Sequence, residues 1–225
     1  MYKTELHCHS AEVSSCANAK AETVVERYVS QGYTTLVLTN HLSQKTFQGH
    51  PELDTWEKKL NFFFDGVRKL EAAAGSKLSI LYGVEIRMND DPNDYLIYGE
   101  SRSFLYENPD LLDIALPELV ARTRKAGLLL VQAHPFRNDM NIVRPDLLDG
   151  MEVFNSHKSH VSRNDIAFQW ACRYNLIMTS GSDLHDPDNF IGGGIRTPFP
   201  LTDNDMLVRV LKSRMYELIR EGNLA

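Results

Sequence analysis

Apolar residues along this chain fall into short runs separated by longer stretches with helical spacing. The runs are "TELH" (4–7), "TTLVLTN" (34–40), "LSILYGVEI" (78–86), "YLIYG" (95–99), "LLLVQAH" (128–134), "GMEVFN" (150–155) and "LIMTSGSD" (176–183). Compact runs of this length predict seven buried strands. Between them lie five helix candidates. "KAETVVERYVSQG" (20–32) ends on Gly32, a C-cap signal. "DTWEKKLNFFFDGVRKLEAAAG" (54–75) opens on Asp54 with Glu57 three residues later, a capping-box signature, and ends on Gly75. "LPELVARTRKAG" (116–127), "SRNDIAFQWACRYN" (162–175) and "TDNDMLVRVLKSRMYELIREG" (202–222) complete the set. Strand followed by helix, repeated, implies an α/β fold with a mainly parallel sheet and helices outside. Rolled up, such a sheet is a barrel. Segments 42–53 and 87–115 read as loop and as partly irregular chain.

Composition narrows the class. A chain of 225 residues, 43% hydrophobic and 24% charged, has the make-up of a globular protein and suits one large domain or two small ones. The formal net charge of -6 gives no electrostatic case for nucleic acid or an anionic membrane as main partner. Cys8, Cys16 and Cys172 match no disulfide or zinc-finger framework. No leader-like start or membrane-length apolar run is visible, so a reducing cytoplasm is the expected compartment.

The candidate chemistry sits where strands end. His7 and His9 close the first strand, and residues i and i+2 of a strand face the same way. Cys8 between them should face the core, while Ser14 and Cys16 read as turn residues. Asn40 and His41 end the second strand, and Glu85 lies near the end of the third. His134 ends the fifth, in an extended or turn conformation because Pro135 follows it. Glu152, Asn155 and His157 lie on or after the sixth, and Asp183 and His185 end the seventh. Burying that many titratable groups is costly unless they pair or hold metal, and α/β sites gather at the carboxyl ends of strands. Mixed imidazole and carboxylate donors suit zinc, manganese or iron. A bridging carboxylate such as Glu85 can join two ions about 3.5–4 Å apart, which would clamp a phosphate. The alternative for Glu85 is a buried ion pair with Arg87. Arg137 could reach a phosphate oxygen with its planar fork. His50, His157 and His160 read as surface histidines. "IGGGIRTP" (191–198) lacks the Lys-Ser/Thr of a phosphate-binding loop.

The ordered set "HCHS", "LTNH", "GVEI", "AHPFR", "GMEVFN" and "GSDLH" resembles the PHP (polymerase and histidinol phosphatase) family over residues 4 to about 186. The resemblance implies a distorted seven-stranded (β/α) barrel. It implies one domain, with a metal-binding core at about 4–186 and a C-terminal connection and helix at about 187–225. It also implies one to three divalent ions. His7, His9, Glu85 and Asp183 would surround the first, Glu85 and His134 would hold the second, and His41 and His185 the third. Three departures stand out. Asn40 replaces the usual aspartate. Ser15 stands where an Asp or His is common, with Glu12 as a substitute donor. No histidine follows the fourth strand, where Glu100 is the replacement to consider. The expected activity is hydrolysis of a small phosphate monoester, of the histidinol phosphate kind, by metal-bound hydroxide. Arg137 or His185 would stabilise phosphoryl charge, or His185 would protonate the leaving alkoxide. The rival readings are an amidohydrolase-type enzyme acting on C–N bonds and a catalytically reduced PHP module with a binding role.

Overall fold

The structure is a computed structural model that describes residues 1–222, so the last three residues of the expected C-terminal segment lie outside the described residues. It is a mixed α/β fold. The strands are β1 (Tyr2–Glu5), β2 (Tyr33–Leu38), β3 (His41–Leu42), β4 (Ser79–Tyr82), β5 (Val84–Ile86), β6 (Tyr95–Tyr98), β7 (Leu129–Gln132), β8 (Gly150–Asn155), β9 (Ile177–Gly181), β10 (Ile195–Thr197) and β11 (Glu217–Leu218). The helices are α1 (Ala21–Ser30), α2 (Trp56–Ala74), α3 (Arg102–Glu107), α4 (Leu116–Lys125), α5 (Asn164–Tyr174) and α6 (Asn204–Ser213).

The expected seven-stranded barrel is corrected by the observed sheets. One sheet has five strands, ordered β11-β10-β1-β2-β4, and the other six, ordered β3-β5-β6-β7-β8-β9. No closed barrel forms among the described residues. The run at 78–86, expected as one strand, divides at Gly83 into β4 and β5, one in each sheet. A Cβ at Gly83 would stand 2.9 Å from the Ile97 carbonyl oxygen, so only glycine lets the chain pass from sheet to sheet there. The sheets also meet at a seam, where Cys8 bridges to Leu184 in parallel sense.

Direction matters as much as order. The pairs β1·β2, β2·β4, β7·β8 and β8·β9 are parallel, as expected. β6 runs antiparallel to both β5 and β7. Its start therefore lies at the end of the sheet where its neighbours finish. Its far end, Gly99, lies against Val208 of α6. Leu207 and Leu211 of α6 pack with Leu6, Leu96 and Leu129 in one of two apolar clusters, so α6 covers the end of the strands away from the histidines.

Helix limits follow capping. Thr55, not Asp54, caps α2 by accepting from Lys58 N, and Asp54 pairs instead with the Lys58 ammonium at 2.8 Å. The helix expected over 202–222 stops at Ser213, because Arg214 turns left-handed (φ 57°). The chain then forms β11, which pairs with β10, and β10 pairs with β1. A short helix, α3, lies within the segment read as irregular.

Candidate metal centre

The first histidine pair is held as a strand extension. Asp183 N donates to His7 O at 2.8 Å and His9 N donates to Leu184 O at 3.0 Å. On the other side Thr39 N donates to Cys8 O at 2.9 Å. The alternation turns His7 and His9 to one face and leaves Cys8 fully buried, as the spacing implied. Glu5 locks the approach: its Oε1 accepts from Leu6 N, His7 N and Ser182 N, and its Oε2 from the Tyr28 hydroxyl.

The tautomers follow from the hydrogen bonds. His7 Nδ1 faces Glu152 Oε1 at 2.9 Å, and a carboxylate can only accept, so that nitrogen carries the proton. Ser14 Oγ donates to Asn40 Oδ1, so it accepts from His9 Nδ1 at 3.3 Å. With the rings neutral both Nε2 atoms are lone pairs, 3.1 Å apart; burial opposes charge on His7, but the Asp183, Glu152 and Glu85 carboxylates raise it well above its ordinary value. Glu85 Oε1 and Asp183 Oδ1 lie 3.3 and 3.4 Å from His7 Nε2. Asp183 Oδ1 and Glu85 Oε2 each lie 3.3 Å from His9 Nε2. Two ring nitrogens and two carboxylates converging at such distances, nearly without exposure to water, are held together by positive charge among them, either a proton on His7 or a bound cation.

Other donors extend the cluster. The groups His7–His9–Glu85, His7–His134–Asp183, Glu85–Asp94–His134 and His9–His41–His185 each bring their ligand atoms within 4.8 Å of one another. Glu85 Oε2 is buried 2.7 Å from His41 Nδ1, yet accepts no hydrogen bond of proper geometry. The buried Nδ1 of His134 has no partner either. His185 Nδ1 donates to its neighbour's carbonyl, Asp183 O, at 3.0 Å, which frees Nε2. These orphaned atoms and this donor chemistry fit divalent cations. Burial works to raise the Glu85 carboxyl, but charge on His41 and His7 holds it well below the ordinary value. Burial, with charge on His41 and His185, pushes His9 down to about 4, which keeps it neutral. Burial would raise the Cys16 thiol, but contact with His185 and His41 brings it to about 6. His134 (φ 27°) and Asp183 (φ 52°) both sit in the left-handed region. For His134, expected to be extended or in a turn before Pro135, that means a strained turn, and strain of this kind gathers at functional sites.

The structure brings His7, His9, His41, Glu85, His134, Asp183 and His185 together. It does not bring Glu12 there: Glu12 Oε1 accepts from Ala21 N at 3.0 Å and caps α1, whose own N-cap residue Lys20 offers no side-chain bond. Glu100 bonds the Tyr82 hydroxyl, away from the cluster. The donor missed by sequence reasoning is Asp94, at the start of β6. Its Oδ2 lies 3.8 Å from His134 Nε2, and Arg87 pairs with Asp94 rather than with Glu85. Glu152 holds His7 and also accepts from His134 N and Asn155 Nδ2. Asn40 Oδ1 accepts from Ser10 N and Ser14 Oγ, a supporting task an amide performs as well as a carboxylate. Arg137 is no free surface residue: Nη2 donates to Asp183 Oδ2 at 2.8 Å and Asn155 Oδ1 at 3.2 Å, and its buried Nε has no partner. His157, read as a surface residue, packs its ring 5.3 Å from His185, and burial brings it down to about 4. With His160 and Lys45 it borders a cleft of about 850 Å³ that opens onto His134, Asp183 and His185.

Comparison with known proteins places this arrangement. No curated protein matches the chain. Among solved structures, a two-domain Bacteroides vulgatus protein containing a predicted PHP-like metal-dependent phosphoesterase aligns with TM-score 0.67 and 19% identity, over 96% of this chain and 64% of that one. An amidohydrolase from Chromobacterium violaceum aligns with TM-score 0.57 and 18% identity, over 98% of each chain. A lesion-specific endonuclease from Pyrococcus furiosus aligns with TM-score 0.66 and 14% identity, over 96% of this chain and 57% of its own. The chain thus spans less than two thirds of the Bacteroides and Pyrococcus proteins, and at these identities the likeness is one of fold. The PHP domain family itself matches residues 5–206, which takes in every histidine and carboxylate of the cluster, and the chain belongs to that family.

Proposed function

We propose that this chain is a metal-dependent phosphoesterase that hydrolyses a small phosphate monoester. The observation that carries the reading is the convergence of the His7 and His9 Nε2 atoms with Glu85 and Asp183 oxygens on one point. His7, His9, Glu85 and Asp183 would hold one ion, and Glu85, Asp94 and His134 a second. His41 and His185 would hold a third. Bound there, zinc, manganese or iron supplies Lewis-acid charge and makes water a stronger acid near neutral pH.

The protein's own groups do the rest. Glu152 holds His7 with its ring proton on Nδ1, so Nε2 stays free. Arg137, fixed by Asp183 and Asn155, borders the cleft with an unpartnered Nε donor that a phosphoryl oxygen would satisfy. His185, with Nδ1 committed to a carbonyl, offers Nε2 either as ligand or towards the leaving oxygen, one role at a time. The cleft suits a small ester, and the acidic balance of the chain adds nothing that would hold a nucleic-acid backbone.

The test is phosphate release from a panel of monoesters, with amides and a phosphodiester alongside. The protein is stripped by chelator and resupplied with Mn²⁺, Zn²⁺ or Fe²⁺. Metal-restored turnover of a monoester is the expected result. Turnover of amides alone would move the chain to the C–N hydrolases, and turnover of the diester alone to nuclease chemistry.

A further inference from the structure

Two arginines reach the carboxylates of the centre, and they hold them differently. Arg137 takes one oxygen of Asp183. Its Nη2 donates to Oδ2 at 2.8 Å, which leaves Oδ1 facing the Nε2 atoms of His7 and His9 at 3.4 and 3.3 Å. Arg87 takes both oxygens of Asp94. Its Nε donates to Oδ1 at 2.7 Å and its Nη2 pairs with Oδ2, the oxygen that stands 3.8 Å from His134 Nε2. Such a two-pronged, charge-assisted grip is among the strongest a side chain has on a carboxylate. Exposure separates the two arginines as well. The Arg137 side chain is 12% exposed and the Arg87 side chain 45%. Arg87 is already half in water, so it can turn away. Asp94, at 3% exposed, cannot follow it and needs another cation in its place. Arg87 borders the cleft of His134 and Asp183, and also a neighbouring hollow of about 630 Å³, so there is room for it to turn into.

We propose that Arg87 competes for Asp94 with the ion that Glu85, Asp94 and His134 would hold, so that this position fills last, by displacing the guanidinium. An ion bound through Asp94 with Arg87 still in place would stand beside a fixed positive charge and be repelled by it. Asp183 keeps Oδ1 clear of Arg137, so the position it shares with His7 and His9 fills without that exchange. No proton moves: the guanidinium stays charged and passes from the carboxylate to the water of the cleft. The inference rests on the metal-centre reading given above.

The test strips the full chain with chelator and titrates it with Zn²⁺ against a chromogenic chelator, with bound metal counted by elemental analysis. Removing the rival charge in Arg87→Gln should tighten the weakest-bound ion by about 10-fold or more and leave the tighter ions unchanged. Arg87→Lys keeps the charge but loses the fork, and should fall between the two. The gain should vanish when Asp94→Asn is added to Arg87→Gln, which ties it to that carboxylate. Equal or weaker binding of this ion in folded Arg87→Gln overturns the competition, because Arg87 would then only orient Asp94. A gain that persists without Asp94 also overturns it. Both of these results leave the metal centre standing. Folded protein that binds no metal in any variant overturns both.

Discussion

Glu152 shows how much of the centre depends on a residue that would not itself touch metal. Its Oε1 holds His7 Nδ1 while its Oε2 takes His134 N and Asn155 Nδ2, so one carboxylate orients two donors. Glu152→Gln keeps the size and removes the obligate acceptor. The folded variant should bind its first divalent ion about 10- to 100-fold more weakly, measured by competition with a chromogenic chelator. The histidine pair at 7/9 was legible in the sequence, because spacing of two in a strand fixes a shared face; Asp183 and His185 have the same spacing but lie past the end of β9, with Asp183 left-handed, so strand alternation does not explain their meeting. Glu152 stood out only as a polar residue in an apolar strand. Its partner lies 145 positions away, and no local pattern joins the two.

At the scale of elements, the runs of apolar residues located the strands well but not their directions. Alternation has the same period whichever way a strand points, so β6 read as one more parallel strand. With its direction reversed, the ligand search belongs at its start, Asp94, and not after its end, Glu100. The division at Gly83 was equally silent, since "LSILYGVEI" is continuous in hydrophobicity. The loop bearing Gly193 packs on β9 so closely that a Cβ there would lie 2.0 Å from Gly181 C and 2.3 Å from Gly181 O. Both atoms are backbone, so neither can swing aside. Gly193→Ala should lower stability by at least about 1–3 kcal/mol, seen as a lower urea midpoint with little change in slope. Gly127→Ala is not a match for it: nothing crowds that position, and only its left-handed φ of 76° opposes the change.

Across the whole molecule, Glu5, Glu85, Glu152 and Asp183 are all nearly excluded from water beneath a ring of histidines. Such a cluster works against folding until cations neutralise it. Metal that binds only the folded state should therefore raise the melting temperature. At 100 times its Kd a single ion adds about 2.7 kcal/mol, and calorimetry with and without chelator reads the difference. An unchanged melting temperature at saturating metal would contradict a buried centre.

The donors come from both halves of the chain. A cut at the exposed Pro109–Asp110 step, between α3 and α4, would leave His7, His9, His41, Glu85 and Asp94 on one fragment. His134, Glu152, Asp183 and His185 would fall on the other. Three of the four donor groups straddle that cut. The ions would then act as an adhesive, and the two halves made as separate polypeptides should reassemble with zinc and part with chelator. Co-purification of one tagged half with the other is the readout, and the chain becomes a metal-gated split protein.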